Sequence, residues 1–453
     1  MSAFRKVRFA AAATVLACGT GLGLPAAAAA DGTALAASQD SSSCTTNNVT
    51  VNANQAQQPW ELQAAGVGNM TDADGNQLTG SGVEVAVIDT GIQSQSQLSV
   101  YDGEVLNGES DYYADDDGHG TMVASIIAAQ KAPGVNGMQG IAPKVKLLSM
   151  REAGCQATAG NTENAMAQAI EDALGKGAEV INISQDGYEP DLKLKQAVQD
   201  AYNRGVVVVT SAGNQGDRDT TDNNGTDYGV NPRTYPASFP DVLAVGAVDQ
   251  YGTVATFSEF GSAKNTYFVG VVAPGVGVSG LLPDGKIATD DGTSFAAPYV
   301  AAEAALIIEE HGWIGQSYET PARAYDVMKI IEATADGAGA YSASMGWGEA
   351  DIQQALQAKV GDSLVAPGSQ ISGLTQMLGS GPNADGAAIT STSQQANQVV
   401  VKPYVADAVN HEAQNQQRWA YIALAAGLLT AIVALAGAAV ARDATRRRNA
   451  AQL

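Results

Sequence analysis

The run Val83-Glu-Val-Ala-Val-Ile88, closed by Asp89-Thr-Gly91, decides the fold. Its apolar residues alternate poorly with polar ones, the pattern of a strand buried on both faces in a parallel sheet. Asp89 then stands at the strand's carboxyl end, where open α/β sheets place their sites. Further along, Gly118-His119-Gly-Thr121 opens the apolar stretch Met122 to Ala129 and sets an imidazole at a helix N-terminus with backbone close around it. Gly292-Thr-Ser294-Phe-Ala-Ala-Pro298 does the same for a hydroxyl: Ser294 starts a long helical stretch to Glu310, whose positive end and free N–H groups suit an oxyanion. Between these two, the strand-like Val206 to Thr210 runs into Ser211-Ala212-Gly213-Asn214.

The rest of the middle of the chain has the same rhythm. Strand patterns near 83–88, 145–149, 179–183, 206–210 and 242–248 alternate with helical patterns near 119–130, 162–175 and 190–204. Such alternation predicts an α/β domain of three layers, a mostly parallel central sheet covered by helices on both faces.

An acid, a base and a hydroxyl in such settings point to nucleophilic catalysis. A serine hydroxyl is a weak nucleophile at neutral pH; it needs an imidazole to take its proton and a carboxylate to hold that imidazole in the right tautomer. Each motif alone also has a plain structural reading: Asp-Thr-Gly as a turn, Gly-His-Gly as a packing site, Gly-Thr-Ser as a helix cap. Asp-Thr-Gly is also the loop of aspartic proteases, but those need two carboxylates sharing a proton, and no second such loop occurs. Of the three histidines, His311 and His411 lie in a polar helix end and a polar linker.

The chain order acid, base, serine resembles the subtilisin-like serine proteases, and the resemblance extends over about 290 residues through Tyr235-Pro-Ala-Ser-Phe-Pro240, Ala255-Thr-Phe-Ser258, Val271-Val-Ala-Pro-Gly275 and Gly346-Trp-Gly348. It implies Asp89, His119 and Ser294 as the triad, and Asn214 as side-chain donor to the oxyanion beside the Ser294 N–H. It also implies Ser184, Asp186, Ala212 and Gly213 as walls of the pocket for the residue before the cut. The sequence departs from the family at Gln185-Asp186-Gly187, where small apolar residues are usual. Asp186 either favours a basic side chain or faces solvent; the sequence leaves both open. No cofactor and no metal is expected. The acidic, Asn-rich segment Gly216 to Asn231 reads as a solvated surface insertion without calcium-ligand spacing.

The two ends concern location. Arg5, Lys6 and Arg8 precede an Ala-rich apolar stretch, which predicts a signal peptide over 1–30. A lipoprotein cleavage site at Leu16-Ala-Cys18-Gly19 is the lesser alternative. Residues 31–82 form an N-terminal extension, 83–358 the catalytic domain, and 359–418 a Ser-, Gln- and Gly-rich stalk in which Val399 to Val405 is the one strand-like run. Residues 419–441 predict a transmembrane helix. Its 22 uncharged residues, Ala420 to Ala441, at about 1.5 Å each span a hydrocarbon core of about 30 Å. Arg442 and Arg446 to Arg448 then place the tail, 442–453, in the cytoplasm and the catalytic domain outside. Between Asp31 and Trp419 there are 17 basic and 46 acidic residues, a net −29, which speaks against nucleic-acid partners and suits an exposed, soluble domain. Once the signal is removed, Cys44 and Cys155 remain, an even count that predicts one disulfide in an oxidising compartment. Closing that long loop contributes up to about 4.7 kcal/mol in the chain-entropy model.

The extension is short and polar, unlike the folded inhibitory propeptides of many secreted subtilases. With Gln58-Pro-Trp60-Glu-Leu62, Gly80-Ser-Gly82 and the C-terminal span, it resembles the mycosins, membrane-anchored subtilisin-like proteases of type VII secretion in actinobacteria. That resemblance implies an extension that stays wrapped round the catalytic domain with Cys44 as its staple. It also implies partners in a membrane secretion complex besides a peptide substrate. Mycosins commonly hold a second disulfide for which no cysteines are available here. Three readings follow: an endopeptidase working in secretion, a mainly structural member of the complex, or a free-standing surface protease.

Overall fold

A computed structural model describes residues 50–51 and 58–358, apart from residues 73, 109–110, 132–136, 155–161, 223–224, 262–267 and 338–340. The expected signal peptide, the Cys44–Cys155 pair, the stalk with Val399 to Val405, and the transmembrane helix all lie outside the described residues. Among the described residues no helix is long and apolar enough to cross a membrane.

The elements in chain order are β1 (Thr50–Val51), α1 (Trp60–Ala64), β2 (Glu84–Asp89), β3 (Val100–Val105), α2 (His119–Ala128), β4 (Lys146–Arg151), α3 (Thr162–Gly175), β5 (Val180–Ile183), α4 (Leu192–Asn203), β6 (Val207–Ser211), β7 (Asp219–Thr221) and β8 (Asp227–Val230). There follow β9 (Leu243–Val248), β10 (Val271–Pro274), β11 (Val278–Leu281), β12 (Ile287–Asp290), α5 (Thr293–Glu310), α6 (Pro321–Thr334) and α7 (Ile352–Gln357). Seven strands form one parallel sheet in the order β10-β9-β6-β5-β2-β4-β3. The α/β fold with a parallel central sheet is therefore as the pattern predicts, and all five predicted strands are there, each beginning one residue later than its pattern.

Both faces of the sheet are dry, and the two-residue period divides each strand between them. Val85 and Val87 of β2, Val180 of β5, and Val207 and Val209 of β6 pack with α2 and α5 on one side. Ala86 and Ile88, Ile181 and Ile183, and Val208 pack with α3 and α4 on the other. This is why Val83 to Ile88 shows no clean alternation: neither set may be polar. The outer helix α4 shows the opposite case, with only Leu194, Ala197, Val198 and Ala201 buried in an otherwise polar helix, and Asp191 capping it by accepting from Leu194 N at 2.8 Å. Helix α5 is buried from Thr293 to Ile308 and apolar on nearly every side there, Glu303 being its one buried acid, as suits a helix running through the core. The acidic insertion at 216–231 forms an antiparallel hairpin, β7 with β8.

The extension is built into this body. β1 pairs antiparallel with β12, and β12 with β11. In α1, Trp60 Nε1 donates to Gly277 O at 3.2 Å and the buried Glu61 accepts from Ser279 N at 2.8 Å. Burial pushes the Glu61 carboxyl up to about 7, although that hydrogen bond partly offsets the rise. Replacing Glu61→Ala orphans the buried Ser279 N–H and is expected to cost about 1–3 kcal/mol. A lower urea midpoint at unchanged m-value, largely restored in Glu61→Gln, checks this.

Candidate active site

Asp89 and His119 meet at the C-terminal edge of β2. His119 Nδ1 lies 2.7 Å from Asp89 Oδ1, which also accepts from Thr90 N at 2.7 Å. The close approach depends on Gly120: a Cβ there would stand 2.1 Å from Gly91 O and 3.0 Å from Asp89 Oδ1. A residue outside the motifs, Asp115, holds the start of α2. It is buried and accepts from Gly118 N, from Thr121 N and Oγ1, and from Thr90 Oγ1, while Thr90 Oγ1 accepts from Gly120 N. One carboxylate thus satisfies donors of the helix start and links both motifs.

Ser294 sits in the first turn of α5, and α2 packs against that helix, bringing the ring of Phe295 to 5.5 Å from the His119 ring. The turn is shaped by Pro298. In an unbroken helix the N–H of residue 298 would bond the carbonyl of residue 294; proline has none, so that carbonyl is left free. Ser184 Oγ donates to it at 2.8 Å and is itself supported by Asn182 Nδ2 at 3.0 Å. In return Ser294 Oγ donates to Ser184 O at 3.2 Å rather than to His119. His119 Nε2 is buried without a partner.

Asn214 follows β6. Its Oδ1 accepts from Thr293 N at 2.9 Å and Thr293 Oγ1 at 3.0 Å, while Thr293 Oγ1 accepts from Gly213 N at 3.2 Å. These bonds tie the Asn214 side chain to the residue just before Ser294. Asp89 is thus bonded to His119, Ser184 to Ser294, and Asn214 and Gly213 to Thr293 just before Ser294, with the His119 ring 5.5 Å from that of Phe295 just after it. Asp186 is half-buried, and burial pushes its carboxyl up to about 6. Asp115, Thr293, Glu152 and Glu259 escaped the sequence reading. Asp115 could have been suspected, since it opens the run Asp115-Asp-Asp117 just before His119.

The region matched by the Subtilase family covers residues 80–348. The chain belongs to that family of serine endopeptidases. Among characterised relatives it is 36% identical over 234 residues to subtilisin Savinase of Lederbergia lenta, covering 52% of this chain and 79% of that one. It is equally identical to an alkaline protease of Alkalihalobacillus alcalophilus, of which the match spans just over half, 56%. Among solved structures, MycP1 from Mycobacterium smegmatis superposes with a TM-score of 0.56 at 29% identity, covering 69% of this chain and 89% of that one. The MycP3 protease from the type VII (ESX-3) secretion system gives 0.56 at 27%, covering 69% and 92%.

Burial alone would lower the pKa of His119, but the Asp89 charge and hydrogen bond, with Asp117 and Asp115 beyond, outweigh it and push the imidazole up to about 9. Asp290 at the end of β12 also feels this ring. Glu152, whose backbone N–H donates to Asp89 O, is buried with both carboxyl oxygens unpartnered; burial and the Asp89 charge push it up to about 8. His119 and Glu152 both bind protons more tightly folded than unfolded, as does Glu259, pushed to about 9. Their stabilisation is therefore complete below the unfolded pKa values and is lost as pH rises towards 8–9. The melting temperature of the Ser294→Ala protein, which avoids self-digestion, is expected to fall by at least about 5 °C from pH 5 to pH 9.

Proposed function

We propose that the chain is an extracytoplasmic serine endopeptidase, anchored by residues 419–441 and working as a mycosin-like protease in a type VII secretion system. One observation carries the catalytic part: a buried His119 with Nδ1 fixed at 2.7 Å on Asp89 and Nε2 unpartnered, in a helix packed against the one that Ser294 starts. Asp89 holds the proton on Nδ1, which leaves the Nε2 lone pair to accept the proton of Ser294 Oγ. Turning about χ1 carries that hydroxyl from Ser184 O towards Nε2, a tightening usual when substrate arrives. The alkoxide character that develops on Oγ attacks the peptide carbonyl. The resulting oxyanion is met by the Asn214 NH2 and the Ser294 N–H, and His119 then returns its proton to the leaving amine.

The likeness to MycP1 and MycP3 supports the secretion context, and the extension buried against β11 and β12 supports a brace that is retained. A mainly structural role in a secretion complex is the second reading, favoured by the same likeness. An allele carrying Ser294→Ala separates the two: secretion that survives this change but fails on deletion of the chain makes the structural role dominant.

The endopeptidase reading is tested by incubating the full chain with a diverse peptide library beside its Ser294→Ala variant. Cuts made only by the unaltered chain are expected, and their absence would sink the reading. Asn214→Ala is expected to lower kcat about 100- to 1000-fold with KM little changed. Because the base must be neutral and His119 is protonated below about 9, kcat/KM should rise with pH towards 9, as pH–rate profiles will show.

A further inference from the structure

We propose that the slot beside Ser294 takes a lysine or arginine side chain, and that Glu259, acting with Asp186, selects for it. This rests on the endopeptidase reading and names the substrate class of that site. Strands β5 and β6 are neighbours, and past their ends the chain continues as two segments, 184–187 and 212–215. At one end of the slot Ser184 is bonded to Ser294 in both directions. At the other, Gly187 exchanges backbone hydrogen bonds of 2.8 and 2.9 Å with Tyr235, and Thr234 Oγ1 donates to Ala212 O at 2.6 Å. Residues 234–235 therefore close the slot between its two walls.

Glu259 lies against the second wall. Its backbone N–H donates to Gly213 O at 3.0 Å and its Oε1 accepts from Gln215 N at 3.3 Å, which places the carboxyl against the residues on either side of Asn214. A Cβ on Gly213 would stand 2.6 Å from Glu259 Cδ and Oε1, and the φ of +112° independently disfavours any other residue, so glycine is what lets the carboxyl in. The Glu259 side chain is fully buried, and Oε2 has no hydrogen-bond partner.

Among the described residues the groups that act on this carboxyl are the charge of Asp186, the backbone of Gln215 and the fully buried Thr234. The phenol of Tyr188 feels both carboxyls and bonds Gln215. None of these is a cation. Burial first and the Asp186 charge second push Glu259 up to about 9, and burial pushes Asp186 up to about 6. An arriving ammonium or guanidinium supplies the missing charge and donors, lowers both values and releases a proton. An apolar side chain leaves the carboxyls unpaired, and an acidic one adds repulsion.

Glu259 as a mere brace for 213–215 makes a different forecast. Glu259→Gln keeps an acceptor for Gln215 N–H and removes only the ability to ionise when a cation arrives. The full chain would be assayed on peptides differing only in lysine, arginine or norleucine before the cut, with fluorophosphonate labelling of Ser294 as a check on the folded site. The expected preference in kcat/KM for lysine over norleucine is about 100-fold at pH 8. It should fall at least about tenfold in Glu259→Gln and in Asp186→Asn, and also in the unaltered chain at pH 5.5, where Asp186 as well as Glu259 is mostly protonated. Taking the ratio of two substrates cancels the titration of His119, and the pH series needs no variant to fold. Norleucine cut as well as lysine at pH 8, or a ratio that Glu259→Gln leaves unmoved, overturns the proposal while the endopeptidase reading stands. No cleavage of any peptide together with no labelling of Ser294 overturns both.

Discussion

The hydrogen bond from Ser184 Oγ to the carbonyl of Ser294 joins the sheet to the helix that carries the hydroxyl. It exists because Pro298 withholds the helical donor that would otherwise occupy that carbonyl. A proline within a helix normally costs about 3 kcal/mol, but at the sixth residue of α5 much of that loss is offset by a partner from outside the helix. The gain is positional. The first turn of α5 is held from β5 through Ser184 and from the end of β6 through Asn214 and Thr293, so the hydroxyl and the amide beside it share one frame. A simple helix cap would satisfy the same turn but would leave its rotation against the sheet unspecified.

Electrostatics sets the second constraint. The chain carries a net −23, and acids are held inside as well as displayed outside. Buried carboxyls near the site divide into two kinds. Asp115 is saturated with donors and does the work of a cap, whereas Glu152 and Glu259 lack partners for at least one oxygen. An unpartnered buried carboxylate is expensive when ionised, so such groups hold protons at neutral pH. Rising pH removes those protons and, in the same range, frees His119 to act as base. Activity and stability therefore pull in opposite directions along the pH scale.

How much of this was legible in the sequence follows from the range of each interaction. The five predicted strands are visible because a strand buried on both faces must be apolar throughout, and that is a local property. Asp89, His119, Ser294 and Asn214 were legible because each sits in a turn whose glycines or helix start are written within a few residues of it. Glu259 was not: it acts on Gly213 and Gln215, more than forty positions away, and nothing beside it in the chain marks it as buried. Glu61 bonds Ser279 across 218 positions and was likewise hidden. The status of Asp186 stayed open for the same reason, since the opposite wall of its slot comes from another part of the chain. Strands β11 and β12 were missed because they are four residues each and lean on the extension rather than on the main sheet.

That last pairing gives the extension a mechanical meaning. β12 ends at Asp290, three residues before α5 begins, and Asp290 lies within electrostatic reach of His119. β1 is hydrogen-bonded along β12, and α1 is fixed to β11 through Trp60 and Glu61. The three-stranded sheet is thus the abutment from which the helix bearing Ser294 starts, and the extension supplies one of its strands. An inhibitory segment that is cut away must bind the cleft and leave the fold intact on departure. A segment that contributes a strand and a buried carboxyl beside the nucleophile's helix has the opposite energetics: its loss would orphan backbone donors in the core of the abutment. These hydrogen bonds are the physical ground for the proposed retention of the extension.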